Sequence, residues 1–326
     1  MSHARQKLLD HLCRAQGVVS GDTLANALGI SRSAVWKHVR ALRKRGIMID
    51  AVPGRGYHLR SDLLSAAAIA EWLRREHQVA HIGRHIEVVA ETDSTNSELL
   101  RRAEQGAAHG LVLLAERQRE GRGRLGRRWH SAPQASLTFS ILLRPELPPR
   151  RLLSLPLVVA CALHEALHGW LPELSLKWPN DLLHRGAKLA GILVEMRAEP
   201  EQVHALVIGI GMNIRPPEQG WPEALRQPAT ALHELMDGQK PSRNEIAARC
   251  LKGLDAAYER WRKDGFSPFR EYWWRHHVAS GQKVRVHHEG RYIEGIARGL
   301  SEDGALLLAR GDGVHQVLAG DLEVIH

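Results

Sequence analysis

The sequence predicts an α+β chain in three parts: an N-terminal winged helix-turn-helix, a central mixed-sheet α+β domain and a C-terminal small β-barrel. Three observations carry this reading. Residues 3–59 hold three short helical patterns and then a hairpin pattern. Residues 86–210 alternate strand-like apolar runs with helix-period stretches, and from residue 282 short apolar alternations are broken by Gly-containing turns. A strong basic bias stops at Ser61 and Asp62, so the parts are set at residues 1–61, 62–277 and 278–326.

In the head, Leu8, Leu9 and Leu12 make the apolar face of a first helix over residues 3–14. Residues 23–28 form a second, Gly29 supplies a left-handed turn, and Ser31 caps a third helix whose Val35, Val39 and Leu42 face inward. Small Ala25 lets two helices approach closely, which completes a helix-turn-helix. The recognition helix is residues 31–44, leaving Ser31, Arg32, Ser33, Trp36, Lys37 and Arg40 for phosphates and base edges. Residues 47–59 read as a wing whose turn holds Pro53, Gly54, Arg55 and Gly56, with Arg55 at the tip to reach an adjacent groove. Between residues 31 and 60 eight basic side chains face one acid, Asp50. A bare three-helix interaction module is the competing reading, but helix, turn, cap, wing and charge agree on DNA.

The formal net charge of +9 points to anionic partners without choosing among them. Cys13, Cys161 and Cys250 are too few and too dispersed for a disulfide framework or zinc ribbon. The most apolar run, residues 152–171, is interrupted by Pro156, His164, Glu165 and His168, so a cytoplasmic protein without a membrane span is expected.

The central part opens with a helix over residues 64–75, a strand over 86–90 and a helix over 97–103. Ser94, Thr95 and Asn96 stand at that strand-to-helix corner, where they serve either as an ordinary cap or as donors and acceptors for a neutral polar ring. Strand-like residues 111–116 and 136–143 then flank residues 121–129, Gly-Arg-Gly-Arg-Leu-Gly-Arg-Arg-Trp. Its glycines permit a mobile backbone, its arginines offer planar forks for phosphate or carboxylate, and Trp129 can cover an apolar ligand. The spacing mimics G-x-G-x-x-G, but no helix follows and no Gly-Lys-Ser/Thr closes a Walker motif. A solvated basic loop that binds nothing is the bland alternative.

Residues 164–168 spell H-E-x-x-H on a helix over 152–171, yet the core-facing stripe around them and the missing third ligand disfavour zinc, and no metal ligand is assigned. The stretch Lys177-Trp178-Pro179-Asn180-Asp181 puts polar groups at a strand end. Lys188 opens the apolar strand over 188–195, as a functional lysine or an edge gatekeeper. A partner strand over 203–210 returns through a turn at 198–201 and ends in Gly209-Ile-Gly211-Met-Asn213. A capping box, Ser242 to Glu245, opens a long helix to about Arg262 with Ile246, Cys250, Leu254 and Trp261 buried. The barrel strands that follow turn at 289–290, 303–304 and 312–313.

Taken in this order, residues 121–129, 177–181, 188–193 and 209–213 resemble the biotin-protein ligases, and with the winged head the chain resembles their bifunctional ligase and biotin-operon repressor form. That resemblance implies that ATP and biotin, with Mg²⁺, give biotinyl-5'-AMP, whose biotin passes to a lysine of the biotin carboxyl carrier protein of acetyl-CoA carboxylase. It also implies an SH3-like C-terminal domain, operator DNA as a partner and a homodimer when adenylate is bound. Matching residue by residue implies Arg124, Lys188 and Asp181 as catalytic. Ser94, Thr95, Asn96, Gln118, Arg122, Gly123, Arg124, Trp129, Asn180, Lys188 and Asn213 are implied to bind biotin or adenylate. Leu125 departs from the pattern, since that loop position is often basic or polar in the family. A biotin-sensing regulator without transfer activity is the alternative.

Overall fold

The structure, a computed structural model, describes residues 2–15, 17–200, 202–223, 225–238, 240–288, 290–311 and 313–325. Glu201, Glu289 and Asp312, which three of the expected turns include, lie outside the described residues. The chain divides into two units, Met1–Gln78 with Pro241–Ala248, and Val79–Lys240 with Arg249–His326.

The first unit carries α1 (His3–Arg14), α2 (Gly21–Leu28), α3 (Arg32–Arg43), β1 (Ile49–Val52), β2 (Gly56–Leu59) and α4 (Ala66–Glu76). Ser20 caps α2 by accepting from the Thr23 amide at 3.0 Å, and Ser31 caps α3 through the Ala34 amide at 3.2 Å. Between them Gly29 takes φ 64. Leu8, Leu12, Leu24, Val35, Val39, Leu42 and Ile49 share one core. The wing hairpin pairs Ile49 with Leu59 through Val52 with Gly56. It gains a partner the sequence did not announce, because Val19 and Tyr57 exchange amide-carbonyl bonds of 2.8 Å. A Cβ at Gly56 would strike the Val19 carbonyl, so glycine is required there.

Helix α4 falls in this first unit. The Ser65 amide donates to Asn244 Oδ1 at 2.8 Å and the Ser65 hydroxyl to Asp10 at 2.8 Å. Asn244 sits in the first turn of α7 (Arg243–Asp264), whose remaining turns from Arg249 onward belong to the second unit.

The second unit contains a seven-stranded sheet ordered β3-β4-β5-β9-β8-β7-β6. Its strands are β3 (His85–Thr92), β4 (Leu111–Gln118), β5 (Ser136–Leu143), β6 (Leu174–Lys177), β7 (Asp181–His184), β8 (Ala187–Ala198) and β9 (Val203–Asn213). Only β3 and β4 are parallel, joined by α5 (Thr95–Glu104); the other pairs are antiparallel. Helix α5 begins two residues earlier than the periodicity implies, because extended Ser94 at φ −152 ends the loop and Thr95 and Asn96 join the first turn. Strand β7 was not legible in the sequence. It pairs Asp181 with Lys177 across a tight corner of Trp178, cis Pro179 and Asn180.

Helix α6 (Leu155–His168), with the 3-10 turn Pro149–Ser154 before it, is long and apolar enough to cross a membrane by composition, but two thirds of that window is buried inside the unit. It is a core helix. After α8 (Ser267–Arg275) come β10 (Lys283–His288), β11 (Arg291–Leu300), β12 (Leu306–Arg310), β13 (Gly313–Val317) and β14 (Asp321–Val324). They form one antiparallel sheet ordered β13-β12-β11-β10-β14, whose two outer strands do not pair with each other. The five short strands are those the alternation implies, and among the described residues β13 and β14 do not close the sheet on itself.

Candidate active site and nucleic-acid interface

Within the second unit one cavity of about 640 Å³ lies over the β8–β9 floor, beneath the loop that joins β4 to β5. Its volume is in the range that encloses a small organic ligand. The floor is flat because it lacks side chains: Gly191 stands opposite Gly211. A Cβ at Gly211 would overlap the indole of Trp129, and one at Gly209 would overlap the amide of Asn96.

One end of the cavity is neutral and polar. Gln118 Oε1 accepts from the Thr95 amide at 2.7 Å and the Thr95 hydroxyl at 3.0 Å. Ser140 Oγ lies 2.6 Å from both Thr95 Oγ1 and Asn96 Oδ1, while Asn96 Nδ2 donates to Glu195 at 2.8 Å. Ser94, Thr95, Asn96 and Ser140 are all buried, so the network has little water to compete with it. The Ser94 side chain makes no capping bond, which leaves it for the cavity it lines. Ser140 and Glu195, which back the lining residues Thr95 and Asn96 without lining the cavity themselves, were missed by sequence reasoning. The available signal was a polar residue at an inward position of the apolar run in β5.

The other end is cationic. Loop residues 121–129 fold back on themselves: the Trp129 amide donates to the Gly121 carbonyl at 2.8 Å, the Gly123 amide to Arg127 at 2.7 Å, and the Arg127 amide to Arg124 at 3.2 Å. No helix follows the glycines. Instead Leu125 at φ 56 and Gly126 at φ 70 make a left-handed corner. Arg122 is neutralised by Glu195 at 2.8 Å and Arg127 by both oxygens of Asp321. Arg124 donates to Asn180 Oδ1 at 3.2 Å, and Asn180 is itself anchored to the Ile192 carbonyl at 2.7 Å. Burial holds the Arg124 guanidinium below its usual range, against the fields of Asp321 and Asp181.

Lys188 forms an ion pair with Asp181 at 2.7 Å and lies 5.8 Å from the centroid of the Trp129 ring. Its edge-gatekeeper reading does not fit, since β8 is interior to the sheet. Lys177 also lines the cavity, donating to Gln227 at 3.0 Å, and burial lowers its affinity for a proton. Of the expected ligand-binding residues, Ser94, Thr95, Asn96, Gln118, Arg122, Gly123, Arg124, Trp129, Asn180 and Lys188 meet in this cavity with Asp181. Asn213 is not among its lining residues. Its amide donates to the Lys188 carbonyl at 3.3 Å and the Thr230 carbonyl at 3.1 Å, so it braces the strand behind Lys188.

The H-E-x-x-H match has a structural explanation. His164 is fully buried with both ring nitrogens engaged, Nδ1 with the Tyr272 hydroxyl at 2.7 Å and Nε2 with the Leu174 carbonyl at 2.9 Å. Burial pushes its pKa down to about 4. Among the described residues no group of three potential metal ligands occurs.

In the first unit, Ser31, Arg32, Ser33, Trp36, Lys37 and Arg40 are exposed on α3, and Arg55 is exposed in the wing turn. The Arg40 guanidinium stacks 5.3 Å from the Trp36 ring, whose side chain stays half exposed. Arg32 pairs with Asp22 at 3.3 Å, and both are solvated, so that pair is weak and open to exchange for a phosphate.

Comparison with known proteins matches three sequence families along the chain. Residues 4–58 match an HTH domain, residues 88–213 the Biotin/lipoate A/B protein ligase family, and residues 279–324 the Biotin protein ligase C terminal domain. The Bifunctional ligase/repressor BirA of Bacillus subtilis is 33% identical over 309 residues, covering 94% of each chain. That of Escherichia coli is 34% identical over 315 residues, 94% of this chain and 92% of its own. Among solved structures, Biotin protein ligase from Aquifex aeolicus in complex with biotin and ATP superposes with a TM-score of 0.63 at 32% identity, covering 74% of this chain and 99% of that one.

Proposed function

We propose the function from one premise: the chain belongs to the biotin protein ligases, in their bifunctional ligase/repressor form. It is an ATP-dependent biotin ligase that also binds DNA as a repressor. In the first step a biotin carboxylate oxygen attacks the α-phosphorus of ATP, giving biotinyl-5'-AMP and pyrophosphate. In the second, a lysine amine of the biotin carboxyl carrier protein attacks the acyl carbon; AMP leaves, an amide forms and the amine gives up a proton.

The observation that carries this reading is one cavity with two chemically distinct ends. The Gln118–Thr95–Ser140–Asn96 network suits the neutral bicyclic ring of biotin, and Trp129 on the glycine floor suits its apolar chain. At the far end Arg124 and Lys188 face where negative charge concentrates during attack, so they stabilise the transition state electrostatically. Lys177 is a third cation for the phosphates. Asp181, already paired with Lys188, orients that ammonium rather than serving as a free base. Mg²⁺ would arrive on the nucleotide phosphates, which is its usual mode of binding, and no dedicated protein cage is assigned.

The division into residues 1–61, 62–277 and 278–326 is supported by the extents of the three family matches. In the head, α3 would read operator DNA with Trp36, Lys37 and Arg40, and Arg55 would touch the adjacent groove. Adenylate-driven homodimerisation would present two such heads to a two-fold operator. A cytoplasmic location is supported by Cys161 and Cys250, two buried thiols outside any disulfide.

Biotin-dependent exchange of labelled pyrophosphate into ATP tests the first step. Exchange that requires biotin and falls about 100-fold or more in Arg124→Ala supports the assignment; equal exchange by that variant contradicts the role given to Arg124.

A further inference from the structure

Strand β14 begins at Asp321, and this carboxylate lines the cavity from the C-terminal sheet. It takes both guanidinium donors of Arg127, Nη1 to Oδ1 at 3.0 Å and Nη2 to Oδ2. Beside it the Gly320 carbonyl lies 3.5 Å from Arg124 Nη1. The Gly320 backbone is itself tightly seated: a Cβ there would meet Val286 Cγ1 at 2.6 Å and the His287 carbonyl at 2.7 Å.

Arg127 is equally well connected through its backbone. Its carbonyl accepts from Gly123 at 2.7 Å and its amide donates to Arg124 at 3.2 Å, so Arg124 sits at the start of a turn whose closing residue is Arg127. That turn runs through Leu125 at φ 56, a conformation an L-leucine resists. A contact outside the turn is needed to hold it. Among the described residues the pairing of Arg122 with Glu195 and Arg127 with Asp321 leaves Arg124 without a carboxylate at ion-pair distance.

We propose that Asp321 is a positioning residue, a latch from the last strand that grips Arg127 and, through the two backbone bonds of the turn, sets Arg124 toward the cavity with its charge uncompensated. The catalytic consequence rests on the ligase reading; the latch itself does not.

Two readouts separate them. Limited trypsin digestion of the ligand-free protein reports cleavage at the loop arginines without any turnover, and pyrophosphate exchange reports kcat and the biotin KM. Asp321→Asn should speed cleavage within residues 121–129 about fivefold and lower kcat about tenfold, with the biotin KM changed by less than about twofold, as expected for loss of a half-exposed bidentate pair. Asp321→Glu should restore most of both. Exchanging the charges, Asp321→Arg with Arg127→Asp, should give a higher kcat than either single change. Unchanged cleavage and kcat in Asp321→Asn, or a double variant no better than the singles, overturns the latch. Faster loop cleavage in Asp321→Asn beside an unaltered protein that makes no adenylate keeps the latch and overturns the ligase reading.

Discussion

At the scale of single residues, the candidate site divides its charges by what each one touches. Arg122, Arg127 and Lys188 pair with Glu195, Asp321 and Asp181, whereas Arg124 lines the same cavity with only the Asn180 amide oxygen and the Gly320 carbonyl within reach. Leu125 is the residue least suited to its place, exposed and left-handed at φ 56. Asparagine tolerates that region and leucine does not, so Leu125→Asn should relieve about 1 kcal/mol of strain in the closed turn. The expected outcome is slower escape of adenylate, up to about fivefold, measured by displacement of labelled biotinyl-AMP; faster escape would show that strain at Leu125 is not what limits closure. Sequence reading reached most of this site, because Gly-Arg spacing and strand-end polar groups are local signals. It could not reach Ser140 and Glu195, whose role depends on which strands become neighbours, and it placed Asn213 in the site although β9 turns that amide behind Lys188.

Elements show the same contrast between local and non-local information. The helices of the head were legible from caps and periodicity, since Gly29 and Ser31 act within a few residues of themselves, although α2 starts at Gly21, two residues before the expected start, because Ser20 caps it. Strand β7 was not, because its pairing with β6 and β8 is tertiary and only four residues long. The C-terminal strands were visible by their alternation, but whether their sheet closes is a property of its two outer strands.

Helix α6 carries a pH consequence. His164 is buried with a folded pKa near 4, below the ordinary value of 6.5. The unfolded chain therefore takes up a proton first as pH falls, and stability is full above about 6.5 and lost progressively down to about 4, by at most about 3 kcal/mol. Denaturation midpoints measured at pH 7.5 and 5 should show this loss, and His164→Gln should flatten it. An unchanged slope in that variant would assign the acid sensitivity elsewhere, His277 being the next buried candidate with a pKa pushed down to about 3.

For the molecule as a whole, two activities are drawn from separate parts of the chain. Trp36→Ala or Arg40→Ala, both exposed on α3, should weaken operator binding at least tenfold, on the order of one lost base or phosphate contact, while carrier biotinylation stays unchanged. Gel-shift titration beside a biotinylation assay checks this, and parallel loss of both would show that these side chains serve the fold. Lys188→Ala should do the reverse, impairing adenylate synthesis by about 100-fold or more, and repression should then return only when adenylate is supplied.

On the function proposed above, one cavity both makes the adenylate and delivers its biotin. Intact-mass analysis of a carrier domain incubated with this protein, ATP, Mg²⁺ and biotin tests it most directly. A mass gain of one biotin on a single carrier lysine is expected, strongly reduced in Arg124→Ala and Lys188→Ala. No gain on a carrier that a known ligase modifies would contradict it and leave a biotin-sensing regulator without transfer activity.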